Sequence, residues 1–490
     1  MLLQLQRYNV NIRQTFWLAL LFFINANSQV IQWSNPTKLK GGAVFTKVIA
    51  ENKDGIFLLR YRNRFYSKSV VLERYSHLLT LELTKTIDLK NARLIKLYAL
   101  KNNFMLVRSS YNRFNQTNQL IAQFYSYDFK TQGKEIILAE AKVLEYGDRG
   151  NFRLRISDNQ HYISVLYSEP SKQNTIIINH QLYTNTLQKV SQKITEFPAN
   201  YMDFIIQDFD VNNKGEMVML CNQIEAKRRT VIDDKHSIFV FVKDSIRDFI
   251  ISDSMVLKSS KLVYDRTLDR SKVVAFYGYK NAPGIEGTLF FELNESLTKS
   301  ALSLNSFSEK LIADVNINDR NKGMVSEGFS ILEAVPRGDG GMLLIAEQKE
   351  IATEDDIVLV NGIPQSTSKN IYNFNELLVL NYDSSGFIDW HNVITKNQTT
   401  INDGGYFSSA VVFVGEKFVQ LIFNDQLRST GDVMQYTIYN NGVLQSNKLL
   451  KNELENVVII PVESKQVSSN KVIIPTSKNR RFALLKIIYD

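Results

Sequence analysis

Cysteine, proline and histidine are scarce in this chain of 490 residues, at one, eight and five copies. A lone Cys221 forms no intramolecular disulfide, so stability must come from a hydrophobic core rather than from covalent staples. The same count excludes a lipid-modified cysteine just after an export segment. Within MVMLCNQ, Cys221 closes an apolar run and reads as a small buried hydrophobe. So little proline excludes a linker-rich architecture. His77, His161, His180, His236 and His391 stand apart from one another, and no H-E-x-x-H or comparable pair signals zinc. No G-x-S-x-G nucleophile motif occurs. The closest approach to a calcium loop, DVNNKGE at 210–216, lacks the ligands that should follow it. No metal site, no cofactor and no catalytic residue is predicted, and the balance of these absences leans away from an enzyme.

Long apolar runs are also missing after the first 28 residues. Within those 28, Arg7 and Arg13 precede the run TFWLALLFFI and then NANSQ, with Ala26 and Ser28 in small-x-small spacing. That layout predicts a cleaved signal peptide over 1–28, the alternative being an uncleaved amino-terminal anchor; the run falls short of the ~20 residues that span a bilayer. Removing the segment lowers the formal net charge of +8 by the charges of the two arginines. Such mild basicity, scattered in short groups such as KRR at 227–229, lacks the stripe a nucleic-acid binder needs, and no nucleic-acid partner is expected.

What the chain does have is 29 Phe, 22 Tyr and a hydrophobic share of 44%, a composition that suits strands. The stretch GFSILEAVPRGDGGMLLIAEQ at 328–348 sets the pattern of an apolar strand, a polar turn and a second apolar strand. It recurs as AVFTKVIAENKDGIFLLRYRN at 43–63, LIKLYALKNNFMLVRSS at 94–110, FRLRISDNQHYISVLYSE at 152–169 and FIIQDFDVNNKGEMVMLCNQ at 204–223. Further copies are KLVYDRTLDRSKVVAFYGYKN at 261–281, SSAVVFVGEKFVQLIFND at 408–425 and VVIIPVESKQVSSNKVIIPTS at 457–477. A third strand follows each, as in NTIIINHQLY, GTLFFELNE and RFALLKIIYD. Second strands such as FLLRY, FMLVR and VVAFYG are almost continuously apolar, as expected of a strand covered on both faces.

Units of about 50 residues that are too thin to bury both faces alone must stack around an axis. The pattern resembles the β-propeller superfamily in general, with no match to the WD, Kelch or Asp-box signatures. The expected fold is therefore all-β, a propeller of eight blades of four-stranded antiparallel sheets, with seven as the alternative because the spans 297–328 and 349–375 can hide or mimic a blade. A single propeller domain over 29–490 is expected. After RFALLKIIYD the last unit lacks a strand, and VIQWSNPTKL at 30–39 has no partner, so the amino-terminal strand is predicted to close the final blade.

In such a fold the connections between second and third strands share one rim with the links between blades. Two of those connections combine arginine with aromatic rings: Arg62, Arg64, Phe65 and Tyr66 in the first unit, and Tyr111, Arg113 and Phe114 in the second. Arginine and aromatic side chains anchor protein partners, and rings also stack on sugars, so these residues form the predicted binding surface, the plainer alternative being rings that cap blade ends. The long connection at 349–374, with TEDD at 353–356, is expected to fold over the central opening or meet a basic partner. Asp148 and Asp403 are rim carboxylates that suit glycosidase chemistry, though a turn aspartate beside glycine more often holds its own backbone. The expected function is that of an exported, non-enzymatic scaffold of the periplasm or cell envelope that binds a protein or a glycan. The alternative is a carbohydrate-active enzyme using rim carboxylates.

Overall fold

The computed structural model describes residues 29–38, 45–62, 68–143, 151–171, 175–199, 201, 203–227, 230–242, 245–252, 255–279, 284–315, 324–360, 363–427, 431–451, 456–478 and 481–489. The expected signal segment and Arg64, Phe65, Tyr66 and Asp148 lie outside them. The described strands form eight antiparallel sheets in sequence order, here blades 1 to 8. Blades 1 to 7 cover 45–88, 93–142, 153–197, 204–252, 255–306, 329–394 and 411–450. Blade 8 takes its inner and middle strands from 457–489 and its outermost strand from Gln29–Trp33. The expectation of eight four-stranded blades closed by the amino-terminal strand is met. The span 297–328 supplies the outer strand of blade 5 and a seven-residue helix, Glu309–Val315, and no further blade among the described residues.

Burial explains the composition of each strand. The second strand of blade 1, Gly55–Tyr61, is buried over its first six residues, and the third strand of blade 5, Gly287–Leu293, over its whole length. The outer strand Leu81–Asp88 is mostly exposed and correspondingly polar. Middle strands are clamped between neighbouring sheets and must be apolar on both faces, whereas outer strands face water. The cores accordingly lie between blades. Phe57, Leu59 and Leu72 of blade 1 pack with Leu97, Phe104 and Leu106 of blade 2. A matching layer fills every later junction, and Ile56, Leu58, Ile473 and Leu484 seal blade 8 to blade 1.

Closure is made by backbone pairing. Gln29 lies opposite Tyr489 and Trp33 opposite Leu485, and a bridge between Thr37 and Phe482 extends the seam. Ser34 accepts from the Leu484 N–H through its hydroxyl at 2.8 Å, and the Lys478 ammonium sits 4.2 Å from the Trp33 ring centre. The strand Arg481–Tyr489 thus keeps no bare edge along this stretch.

Inner strands carry a recurring irregularity. Blades 1, 2, 4, 5 and 6 each have a register shift, at Val48/Ala50, Leu94/Lys96, Ile206/Asp208, Leu257/Ser259 and Ile331/Glu333. A bulge releases a carbonyl from the ladder and turns the strand more sharply. Basic side chains of the preceding blade occupy three of these carbonyls: Lys465 donates to Ile49, Arg153 to Gln207 and Lys261 to Leu332. The bulges therefore tie successive inner strands around the axis.

Candidate functional site

Two surfaces are built by this geometry, a rim and an axial channel. The rim gathers the second-to-third-strand connections together with the links between blades. Arg62 is exposed at the end of the second strand of blade 1. In blade 2, Tyr111 is half-buried and paired with Asn118 inside the strand Phe104–Asn112 rather than in a loop, because strand pairing runs to Asn112 opposite Thr117. Only residues 113–116 turn. The Asn112 side chain accepts from the backbone N–H groups of Phe114 and Asn115 at 3.0 and 3.4 Å, and Gln116 has a φ of 54°. That Asx turn presents Phe114 with 95% of its surface exposed beside exposed Arg113. Arg62, Arg113 and Phe114 thus share the rim of adjacent blades.

The connection at 349–374 is a paired hairpin rather than a loop. Strands Met342–Val360 and Ile363–Tyr382 pair without a break from Lys349 opposite Phe374 to Val360 opposite Ile363, so blade 6 continues as a long hairpin. Gln398–Ile401 pairs along Ile371–Phe374 as a third strand at its base. β-Branched and aromatic residues at 351, 353, 357, 358, 367, 371, 372 and 374 favour extension and override the polar appearance of the segment. Ile351 and Ile401 are 64% and 55% exposed. The connection at 222–237 is likewise strand for most of its length, within Met217–Lys227 and Thr230–Phe241.

Asp403 does the structural work a turn aspartate is expected to do, accepting from the Gly405 N–H at 2.8 Å. Gly405 has a φ of +69° and lies against the Phe374 ring, where a Cβ would approach within 2.7 Å. The turn sends Tyr406 to blade 1, where its hydroxyl accepts from the Thr46 N–H at 3.1 Å and its ring meets Phe45 edge-on at 4.9 Å. Phe45 stacks on Tyr61, whose hydroxyl donates to Glu463 at 3.0 Å. This aromatic cluster was not anticipated. Its only trace in the sequence is tyrosine one residue after a glycine pair.

The axial channel is lined by alternate residues of the inner strands, and charge is unevenly shared around it. On blades 3 to 6, opposite charges meet: Arg155 contacts Asp208 at 2.9 Å and Lys261 contacts Glu333 at 2.7 Å. Asp208 also accepts from the Leu262 N–H, and Asp210, two residues along the same strand, is pushed up to about 6 by burial despite the nearby Arg155. On blades 8, 1 and 2 stand Lys465, Lys47 and Lys96. Burial, with Arg155, Lys47 and Lys465 as like-charged neighbours, brings the Lys96 ammonium down to about 8. A cavity of about 590 Å³ opens beside the turns between the first and second strands of blades 5 and 6, bordered by Asp265, Arg266, Glu333 and Lys465. Sequence reasoning missed these residues, although a basic residue at an exposed alternate position of KQV, FTKV, RLIK and RLR was a visible signal.

Among the described residues no group of three or more His, Cys, Asp and Glu side chains is placed to hold a metal ion, and no helix is long and apolar enough to cross a membrane. Cys221 is buried at the junction of blades 3 and 4, as its apolar neighbours suggested.

With its eight sheets and strand-exchanged closure, the protein is an eight-bladed β-propeller. No family model matches the chain, and no curated protein matches it in sequence. Among solved structures it is similar to the polysaccharide lyase Uly1, at 10% identity and a TM-score of 0.38 over 80% of this chain and 89% of that one. It is also similar to the β-propeller domain of the Trilobed protease from Pyrococcus furiosus, described as having an open velcro topology, at 8% identity and a TM-score of 0.36 over 85% and 97% of the two chains. The GH32 β-fructofuranosidase BmSUC1 of Bombyx mori aligns over 94% of this chain and 93% of its own at 9% identity and a TM-score of 0.24. Likeness at this level says nothing of chemistry.

Proposed function

We propose that the protein is an exported, non-enzymatic propeller of the periplasm or cell envelope that binds a protein partner through its rim. The projecting hairpin of blade 6 carries this reading. It extends the sheet well past the point where the blade needs covering and holds Ile351 and Ile401 in water. Exposed aliphatic side chains on a rigid sheet gain by burial against a protein, whereas sugars are held by stacking on rings, which favours protein over glycan. Phe114 and Arg113 on their fixed turn, and Arg62 on blade 1, supply the aromatic and guanidinium anchors common in interface centres. Export rests on the signal layout of residues 1–28.

The test is capture from native envelopes with the full mature chain, compared with a chain carrying Ile351→Ser and a two-residue turn in place of 354–369, and with Phe114→Ala. A partner retained by the parent and lost from the hairpin deletion supports the reading. Equal recovery by both proteins, or none by the parent, overturns it. Sequencing of the mature amino terminus checks cleavage before Gln29.

A second reading, a glycan-hydrolysing enzyme, is favoured by one observation. Asp208 and Asp210 share one face of the channel strand, the first paired with Arg155 at 2.9 Å and the second raised by burial to about 6, and a carboxyl of raised pKa beside a second carboxyl group is what acid-assisted glycoside hydrolysis requires. Polysaccharide turnover that disappears in Asp210→Asn, with the melting temperature retained, would establish it in place of the scaffold.

A further inference from the structure

We propose that Lys47, Lys96 and Lys465 form a binding site for a small polyvalent oxyanion in the axial channel. The site is separate from the rim and stands whether or not the rim binds a protein.

The argument begins with how the channel charges are balanced. Arg155 has Asp208, Lys261 has Glu333, and Arg153 donates to the Gln207 carbonyl at 3.2 Å. At the adjoining cavity, Asp265 is taken by buried Lys272 at 2.8 Å and Arg266 by Asp158 at 2.9 Å. Lys465 is the exception there: among the described residues its ammonium meets only the Ile49 carbonyl, at 2.6 Å. Lys47 and Lys96 meet no carboxylate among the described residues, and the Lys96 ammonium lies 4.8 Å from the Tyr98 ring centre. The acids that come near are already engaged: Glu463 accepts from Tyr61, and Asp208 is paired with Arg155. The inner strand of blade 7, Val411–Val414, brings no charge.

Gathering like charges with no counter-charge is costly, and the cost is greater where protein walls displace water. The lysines nonetheless stand on the inner strands of three successive blades, and Lys465 reaches the Ile49 carbonyl two residues along the strand from Lys47. An anion seated among them removes the repulsion and replaces lost hydration by charge-assisted hydrogen bonds. Three ammonium groups match a ligand with more than one oxyanion group. Lys465 borders the cavity of about 590 Å³, while Lys47 and Lys96 stand outside its lining, on the inner strands of the next two blades. Phosphate chains and multiply carboxylated acids share this chemistry.

Titration calorimetry of the full mature chain at pH 7 with tripolyphosphate, and separately with citrate, tests the proposal. One-to-one saturable binding that weakens with added salt is expected. Binding of tripolyphosphate alone identifies a phosphate ligand, binding of citrate alone a carboxylate one, and either supports the site. Lys96→Gln and Lys47→Gln are each expected to weaken binding by roughly tenfold or more, the scale of one charge-assisted hydrogen bond, while Lys90→Gln outside the channel leaves it unchanged. At pH 8 the parent should take up a proton on binding as Lys96 is recharged, seen as a heat that varies with buffer ionisation; Lys96→Arg should keep binding and lose the uptake. Melting temperatures equal to or above the parent's show that the variants fold. No saturable binding of either anion, or binding indifferent to both Lys→Gln substitutions, overturns the proposal.

Discussion

Enclosed between blades 3 and 4, the His180 ring places its Nε2 2.9 Å from the Ser164 hydroxyl and stands edge-on to Phe241. Burial, with Lys193 nearby, holds its pKa down at about 4 against an ordinary value of 6.5. The folded state therefore resists protonation that the unfolded chain accepts below 6.5. Stability from this group is fully present above that pH and is lost as pH falls toward 4, by about 3 kcal/mol. Chemical denaturation between pH 7 and pH 4 should show that loss, and His180→Gln should flatten it. Asp210 has the opposite sign. Its folded pKa of about 6 lies above the ordinary 3.8, so its carboxylate destabilises the fold progressively as pH rises through that interval. Asp210→Asn is expected to gain about 2 kcal/mol at pH 7.5 and almost nothing at pH 3.5, read from the same denaturation series. Neither shift was visible from residue type. A histidine in NTIIINHQLY and an aspartate in FIIQDFDV sit in similar apolar company, and only the walls around each side chain decide its environment.

At the scale of elements, the strand that closes the ring and the hairpin that leaves it do opposite jobs. Gln29–Trp33 covers the outer edge of Arg481–Tyr489, and Ile31 and Trp33 pack on the core between blades 7 and 8. Deleting residues 29–38 bares that edge, so a lower melting temperature and concentration-dependent association by light scattering are expected. Strand Gln398–Ile401 pairs with the hairpin's base at 371–374, so replacing 354–369, beyond that pairing, with a tight turn should leave the melting temperature within a few degrees. The closing strand was legible because an unpaired apolar segment and an incomplete last unit are both local facts. The hairpin was not. Its polar, charge-bearing sequence is what a loop shows, and the backbone pairing that holds it depends on two strands meeting in register.

For the whole molecule, stability resides at junctions, since each core layer belongs to two blades at once. Phe104 is fully buried between blades 1 and 2, its ring 5.0 Å from that of Phe57 and 4.9 Å from that of Tyr127. Phe104→Ala should cost about 3 to 5 kcal/mol, and because a closed ring shares its seams, calorimetry should record a lower transition for the entire protein rather than loss of one blade. The repeat, the alternation of faces and the continuously apolar middle strands come from neighbouring residues, and these the sequence by itself determined: thin antiparallel units that cannot shield themselves must wrap into a propeller. The tertiary structure decided between eight blades and seven, set Arg113 and Phe114 on a tight turn, and placed Lys47, Lys96 and Lys465 on the inner strands of successive blades. The first and last of these depend on segments far apart in the chain that only the curvature of the closed ring brings together, whereas the turn needs the two strands of its own blade to meet in register.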